Sequence, residues 1–220
     1  MGNFINIVDS RIDVDSPGTS QLFKDLRDNQ YVGFTNMTVY TSGAGNFTVP
    51  ANVYRLCVTV TGGGAGGRGL NIGPVEGTIG GAGVDSTFGL NPSTFGLLTA
   101  GGCKTVLNDG VVNYWYSPSA THSKDATNLH DGGGGEWSVT DGASSFWGSN
   151  SYGSGGRPGY WPIPSSLLHL PGGSGATINA VWEVVPGEVY PYVVGAGGAG
   201  GAGTLTPGYA GGGGIIVVEW

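Results

Sequence analysis

Glycine tracts flanked by apolar runs constrain this chain more than any other feature. The apolar run 189–194 enters the tract 195–203, and a second tract, 211–214, leads into the apolar run 215–218. Because glycine has no Cβ, such tracts can turn sharply, adopt positive φ, or lie backbone against backbone where a side chain would clash. Ordering so much glycine costs conformational entropy, so the flanking strands must supply the burial that offsets it.

The same unit occurs in the first half of the chain, where the strand candidate 53–61 opens into the tract 62–67. One face of this strand carries Tyr54, Leu56, Val58 and Val60. The last run, 215–218, is apolar at every position, and this pattern predicts a strand buried on both faces. Such burial places it either at the centre of a sandwich or at a subunit interface.

Two further pairs of strands are predicted. The first pair is 37–41 and 47–49, with 42–46 as the turn between them. The second pair is a hairpin of 178–185 and 188–194, joined by a Pro-Gly pair that suits a type II turn. We therefore predict an all-β fold, a glycine-rich antiparallel β-sandwich or jelly-roll-like domain over residues 34–220.

Residues 1–33 differ from the rest, because they carry many of the charges and little glycine. Ser16 followed by Pro17 is typical of a helix N-cap, and it predicts a short helix over about 17–29. A helix of this length is not stable alone. We interpret residues 1–33 as a docking or trimerisation arm.

Composition bears on order and on the class of partner. Glycine and proline number 46 and 12 of 220 residues, a share common in disordered chains. However, 39 % of the residues are hydrophobic and only 10 % are charged, which favours a folded domain. A net charge of −7 without a Lys/Arg cluster argues against a nucleic-acid partner.

The start of the chain shows no signal peptide and the sequence has no apolar run near 18 residues, so neither export nor membrane insertion is expected. Cys57 and Cys103 do not form a disulfide framework, and we expect two reduced thiols in a protein made in a cytosol.

Short repeats and aromatic residues mark the middle of the chain. Residues 85–90, 92–97 and 142–148 each place a phenylalanine after small residues and near glycine, which suggests three aromatic plugs. Residues 103–172 are predicted to be a loop-rich insertion, because strand signals are sparse and prolines are frequent. The tyrosines and tryptophans in it are candidates either for recognition or for core packing: Tyr114, Trp115, Tyr116, Trp137, Trp147, Tyr152, Tyr160 and Trp161.

No catalytic, cofactor or metal site is predicted. The tract 62–67 matches G-x-G-x-x-G after a strand, but no helix can follow it, so a dinucleotide site is not indicated. The three histidines lack metal-ligand spacing. Carboxylates in the insertion leave a hydrolase or a Ca²⁺ site as a weaker alternative, namely Asp109, Asp125, Asp131, Glu136 and Asp141.

Several segments in order carry a resemblance to a known family: 47–50, 58–64, 184–190, 193–201 and 215–218. Their sequence resembles the glycine-rich domain of bacteriophage tail-fibre and tail-tip proteins. The start of the chain, 11–29, is also similar to the opening of small phage fibre and knob proteins. The aromatic-rich insertion 103–172 departs from the family pattern.

The resemblance implies a β-rich homotrimer at the distal end of a fibre, made in the host bacterial cytoplasm and located in the virion. Its partners would be an upstream fibre or tail protein, contacted by residues 1–33, and a host-surface glycan or outer-membrane protein. We expect binding without chemistry, through the eight aromatic residues named above. The alternatives are a structural adaptor or cap protein of the virion and, less favoured, a virion-borne hydrolase.

Overall fold

The computed structural model describes residues 34–71, 77–90, 93, 95–108, 112–116, 120–122, 129–130, 145–147, 151–159 and 171–220. For the strands at 104–108, 112–116 and 129–130, and for His122, only the backbone is described. The chain divides into two compact units, Met1–Thr35 and Asn36–Trp220, and every strand of the described residues belongs to the second unit. The predicted helix at 17–29 and the predicted arm at 1–33 lie outside the described residues.

The described residues form an all-β fold without a helix. The strands are β1 Met37–Tyr40, β2 Gly43–Thr48, β3 Arg55–Thr61, β4 Ser86–Gly89, β5 Leu97–Ala100, β6 Lys104–Asn108, β7 Val112–Tyr116, β8 Ala120–His122, β9 Leu129–His130, β10 Thr177–Glu183, β11 Val189–Val194 and β12 Ile215–Glu219.

Two five-stranded sheets and one hairpin contain all of these strands. Sheet I has the order β1-β12-β3-β10-β9, sheet II has the order β2-β11-β4-β5-β8, and β6 pairs with β7 alone. Every pairing is antiparallel. We call sheets I and II together the two-sheet body.

One hydrophobic core joins the two sheets, and its residues alternate along the strands as the period of two requires. In β3 the side chains of Leu56, Val58 and Val60 are fully buried in this core. Phe88 of β4 meets Phe95 edge-on, with 5.5 Å between ring centroids. Both phenylalanines are fully buried, so two of the three predicted aromatic plugs are confirmed.

The last strand is confirmed as buried on both faces. β12 lies between β1 and β3, and Ile215 to Val218 are each at most 8 % exposed. The third predicted plug is wrong, because Phe146 is 54 % exposed and lies outside the core.

The sequence predictions are wrong about which strands pair with each other. The sequence predicts a turn over 42–46, but residues 43–46 belong to β2, whose glycine at position 45 leaves room for the Tyr192 hydroxyl. The chain therefore passes from sheet I to sheet II between β1 and β2.

The predicted hairpin of β10 and β11 is also wrong. Gly187 has φ of 87° and the Glu188 amide donates to the Val185 carbonyl at 3.1 Å, so the type II turn itself is confirmed. However, β10 pairs with β3 and β9, whereas β11 pairs with β2 and β4. The turn crosses between sheets instead of closing a hairpin.

The insertion 103–172 contains more strand than its composition predicts. β6, β7, β8 and β9 all lie in it, and β7 holds Tyr114, Trp115 and Tyr116, for which the sequence predicts a loop. β-branched and aromatic residues favour strands, and here this propensity outweighs the scattered polar residues around them.

Beyond the two-sheet body, the glycine tracts of the described chain continue as seven extended segments. We label them g1 (62–70), g2 (77–84), g3 (101–103), g4 (153–159), g5 (171–176), g6 (195–203) and g7 (206–214), and we call them the glycine bundle. Segments g1, g5 and g7 adjoin β3, β10 and β12 of sheet I in the sequence; segments g2, g3 and g6 adjoin β4, β5 and β11 of sheet II.

Segment g1 lies at the centre, and its hydrogen-bond partners repeat every three residues. The amides of Gly63, Gly66 and Gly69 donate to g2, at Val84, Gly81 and Thr78 respectively. The amides of Gly64, Gly67 and Leu70 donate to g7, at Gly212, Tyr209 and Thr206. A period of three without hydrogen bonds inside the segment is the geometry of a polyproline II helix.

The other neighbours complete a ring of six segments around g1. Amides of g1 also donate to g5, and its carbonyls accept from g3, g4 and g6, as in Gly198 N–H to Gly64 C=O at 2.8 Å. Around the ring, consecutive segments are bonded in the order g2, g6, g7, g4, g5, g3 and back to g2. The bundle is thus a hexagonal array in which hydrogen bonds run in every lateral direction.

Close approach, not unusual φ, explains the glycine content. Of the described glycines in these segments, only Gly153 has positive φ. A Cβ at Gly64 would lie 2.0 Å from the Ser154 carbonyl oxygen, and one at Gly66 would lie 1.9 Å from that of Ala199. No side chain fits where backbones are this close.

Larger side chains occur where g3 ends and the ring of six segments around g1 is no longer complete. Segment g3 ends at Cys103, and beyond it the side chains of Ala65, Ile79 and Cys103 pack together. Farther along g1, the Arg68 Nε donates to the Gly77 carbonyl at 3.0 Å. These side chains lie on g1, g2 and g3, at the end of the bundle where g3 stops.

Candidate functional site: an aromatic surface and a groove on the glycine bundle

The candidate surface lies on the side of the bundle formed by g4, g7 and residues 145–147 and 151–152. Phe146, Trp147 and Tyr152 are 54 %, 38 % and 40 % exposed. The rings of Phe146 and Trp147 meet edge-on with centroids 5.2 Å apart. We call these three residues the aromatic patch.

The aromatic patch is anchored to the junction between body and bundle. The Trp147 indole Nε1 donates to the Thr61 Oγ1 at 2.9 Å, and that hydroxyl also bonds the Thr177 hydroxyl at 2.9 Å. The Ser145 hydroxyl donates to the Tyr152 carbonyl and accepts from the Trp147 amide. The Trp147 ring is therefore held by the end of β3, and the Phe146 ring packs against it, while all three rings of the patch remain partly exposed, an arrangement suited to recognition.

Beside the patch, g4 and g7 border a groove of about 410 Å³. Its lining is Ser151, Ser154, Gly155, Gly156, Arg157, Tyr209, Ala210, Gly211 and Gly212. Two cross-bonds hold its floor: the Tyr209 amide donates to the Arg157 carbonyl at 2.9 Å, and the Gly212 amide donates to the Ser154 carbonyl at 2.8 Å. The lining contains no carboxylate, histidine or cysteine, so its two serines, Ser151 and Ser154, have none of these groups beside them in the lining to act as a general base.

The groups whose pKa values shift most lie in the interior, away from this surface. Burial raises the pKa of Cys103 to about 12, against a smaller opposing effect of the Gly173 and Ala65 amides. Burial, followed by hydrogen bonding to Glu188, raises the pKa of Tyr190. Both side chains are fully buried. Their shifts report desolvation in a packed interior, which by itself indicates no catalysis.

Of the eight aromatic candidates, the structure brings together Trp147 and Tyr152. Tyr114, Trp115 and Tyr116 lie on β7, where the backbone alone is described, and Trp137, Tyr160 and Trp161 lie outside the described residues. Two other tryptophans, Trp182 and Trp220, pack against the core as expected for structural rings.

Sequence reasoning missed Tyr209 and the groove. A signal was available: Gly208, Gly211 and Gly214 recur every three residues, and a Cβ on any of them would meet the backbone of g1 or of Thr61 just before it. With a period of three, Tyr209 must point in a different direction, and it is 63 % exposed.

Comparison of the sequence with protein-family models and with curated proteins finds no match. Among the described residues, no helix is long and apolar enough to cross a membrane. The described histidine, cysteine and acidic side chains nowhere gather in a group of three able to hold a metal ion. Cys57 and Cys103 are both buried free thiols.

Proposed function

We propose that this chain is the tip or knob protein of a bacteriophage tail fibre and binds a receptor on the bacterial surface. The observation that carries the proposal is the aromatic patch, held by the end of β3 beside a bundle of closely bonded backbones. A rigid, partly solvated aromatic surface gains contact area at low entropy cost. The order of strand and glycine units, which resembles phage fibre proteins, supplies the biological setting.

The fold and assembly belong to the same proposal. The two-sheet body with one core is consistent with a β-sandwich of jelly-roll-like kind, and the protein would act as a homotrimer in the virion. Residues 1–33 would dock to an upstream fibre or tail protein. Binding would need neither cofactor nor metal, and it would involve no covalent step.

A structural adaptor is the second candidate, and the exposed edge of sheet I favours it. Met37 and Val39 of the edge strand β1 are 62 % and 42 % exposed. An exposed apolar edge strand is suited to pairing with another protein. Capture of a fibre or tail protein that Met37→Lys plus Val39→Lys abolishes, without any cell binding, would support the adaptor instead.

Adsorption of the purified protein to a panel of bacterial strains tests the receptor role. We expect at least one strain to retain the protein and the double variant Phe146→Ala plus Tyr152→Ala to lose most of this binding. Both side chains are exposed, so the thermal midpoint should stay within a few degrees. The matched control is Tyr54→Ala, since Tyr54 is 63 % exposed and precedes β3 at its other end.

Two results would contradict the proposal. One is retention by no strain in the panel. The other is retention that the double variant leaves unchanged, which would remove the aromatic patch from the binding surface. For the assembly, light scattering should give about three times the 22.2 kDa of one chain.

A further inference from the structure

The groove between g4 and g7 contains polar backbone groups that the bundle leaves unpaired. Among the described hydrogen bonds, Gly155 and Ala210 neither donate nor accept one. Gly155 is nevertheless buried. Buried backbone amides and carbonyls are almost always paired with protein, water or a ligand.

The groove differs from the other place where the ring of segments around g1 is incomplete, which is the end of g3. At the end of g3, Ile79 packs against Cys103 and Ala65, and the Arg68 Nε donates to the Gly77 carbonyl. Along the groove the lining residues are mostly glycine and other small residues, and the two large side chains in the lining are those of Arg157 and Tyr209. Ala210 is exposed, and Gly155, although buried, lines the groove, so both backbones border space that a ligand can occupy.

The shape and chemistry of the groove narrow the class of ligand. Its volume of about 410 Å³ falls within the size range of small-molecule sites, about 300–1,000 Å³. From the Ser154–Gly212 bond to the Arg157–Tyr209 bond is one turn of three residues, or about 9 Å at the polyproline II rise. The floor thus offers amide donors and carbonyl acceptors close together, with the Tyr209 ring at one end.

We propose that this groove binds a neutral saccharide. Sugar hydroxyls both donate and accept hydrogen bonds, which matches the unpaired amide and carbonyl of Gly155 and of Ala210. The apolar C–H face of a pyranose can stack on Tyr209, which is 63 % exposed. A polyanion fits less well, because the chain as a whole carries a net charge of −7 and Arg157 is the single cation in the groove lining.

An extended peptide is the competing ligand, since it too presents alternating donors and acceptors. The segments of the bundle accept a neighbour only where its facing positions are glycine. A peptide with other residues at those positions would not fit, whereas a saccharide has no Cβ atom that could clash. The saccharide inference deepens the receptor-binding proposal and rests on it for the source of the sugar.

Amide chemical-shift changes in the full chain test the inference directly. The probes are cellohexaose, maltohexaose and the hexamer of N-acetylglucosamine, with hexaglycine as the peptide comparison. We expect at least one sugar to shift the amides of Gly155 and Ala210. Tyr209→Ala should weaken this binding at least fivefold, and Ala210→Leu should abolish it by filling the groove. Tyr54→Ala, with the same 63 % exposure as Tyr209, is the matched control and should bind as the parent does.

Each result is decisive for one of the two proposals. No shift with any sugar, or shifts with hexaglycine alone, would overturn the saccharide inference. Cell adsorption that survives periodate oxidation of surface glycans and the Ala210→Leu variant would overturn the inference and leave receptor binding standing. Sugar shifts at Gly155 without adsorption to any strain would overturn the receptor proposal and leave the groove as a saccharide site.

Discussion

The two-sheet body and the glycine bundle are continuous in the chain, but they are held together in different ways. In the body, hydrogen bonds join strands within each sheet, and side chains such as Leu56 and Phe88 fill the space between the sheets. In the bundle, hydrogen bonds connect g1 to all six neighbours, and its backbone lies directly against theirs. The body therefore depends on apolar burial, whereas the bundle depends on backbone contact.

The magnitudes explain why the bundle needs the body. A hydrogen bond adds about 0.5–1.5 kcal/mol net to stability, and fixing the backbone of one residue costs about 1–2 kcal/mol. Burial of a large apolar side chain adds about 1.5–3 kcal/mol. A glycine segment alone thus gains little or nothing. Six of the seven segments adjoin strands of the body, and these strands supply the order that the glycines lack.

Side chains become gradually smaller from the core of the two-sheet body towards the glycine bundle. Next to the large residues of the core lie Thr61, Ser86 and Ala100, all fully buried, and glycine lies beyond them. The Ser86 hydroxyl accepts from the Gly195 amide at 2.9 Å at this level. Small side chains let the two sheets, usually about 10 Å apart, converge until backbones touch.

Adding one methyl group at the centre of the bundle should have the largest effect. Gly64→Ala would place a Cβ 2.0 Å from the Ser154 carbonyl oxygen, so the neighbouring segments must separate. We expect a loss of more than about 4 kcal/mol of unfolding free energy, measured in urea. The control is Gly213→Ala, whose Cβ would have no atom nearer than 3.9 Å and should change stability by less than about 0.5 kcal/mol. Equal stability of the two variants would show that the bundle is not tightly packed.

In the two-sheet body, the corresponding loss of stability should come from removing a side chain from the core. Phe88→Ala would leave a cavity beside Phe95 and Tyr190 and should cost about 3–5 kcal/mol. Phe146→Ala, which removes the same atoms at a 54 % exposed position, should stay within about 0.5 kcal/mol. A similarly small effect of both variants would argue that Phe88 does not belong to a packed core.

Raising the pH should give the smallest loss of stability, and part of this loss should come from the glycine bundle. The pKa of Cys103 is raised from 9.0 to about 12 in the folded protein, so the unfolded chain loses this proton first. Stability from this thiol is complete below pH 9 and decreases as pH rises, by about 1 kcal/mol between pH 9 and 10. Cys103→Ala should lack this part of the decrease in denaturant titrations at each pH. An identical decrease in the variant would mean that Cys103 ionises while the bundle is folded.

Much of the local structure could be predicted from the sequence, because it depends on neighbours in the chain. The alternation in 53–61 identified Leu56, Val58 and Val60 as one face of β3, which lies in the core, although the opposite face is buried too and Tyr54 is exposed. The Pro-Gly pair identified a type II turn. The repeats of small residues before a phenylalanine identified Phe88 and Phe95 as plugs. The partners of these elements could not be predicted, because a period of two tells which face is buried but not which strand lies alongside.

The candidate site shows the same limit. Aromatic enrichment identified Trp147 and Tyr152, but only the fold shows that they share a surface with g4. Tyr209 was overlooked because it stands within a glycine tract, where the repeat of three, and not local composition, determines its direction.

By itself, the sequence determined that glycine tracts must be ordered by the strands that flank them, since only strands here can supply apolar burial. It left open whether the glycines serve sharp turns, positive φ or close backbone approach, and the tertiary structure decided for close approach. The tertiary structure alone decided that 62–70 is the central segment and 195–203 a peripheral one, despite their similar composition. The reason is that the number of neighbours is a property of the whole array, and no residue in a segment encodes how many other backbones will surround it.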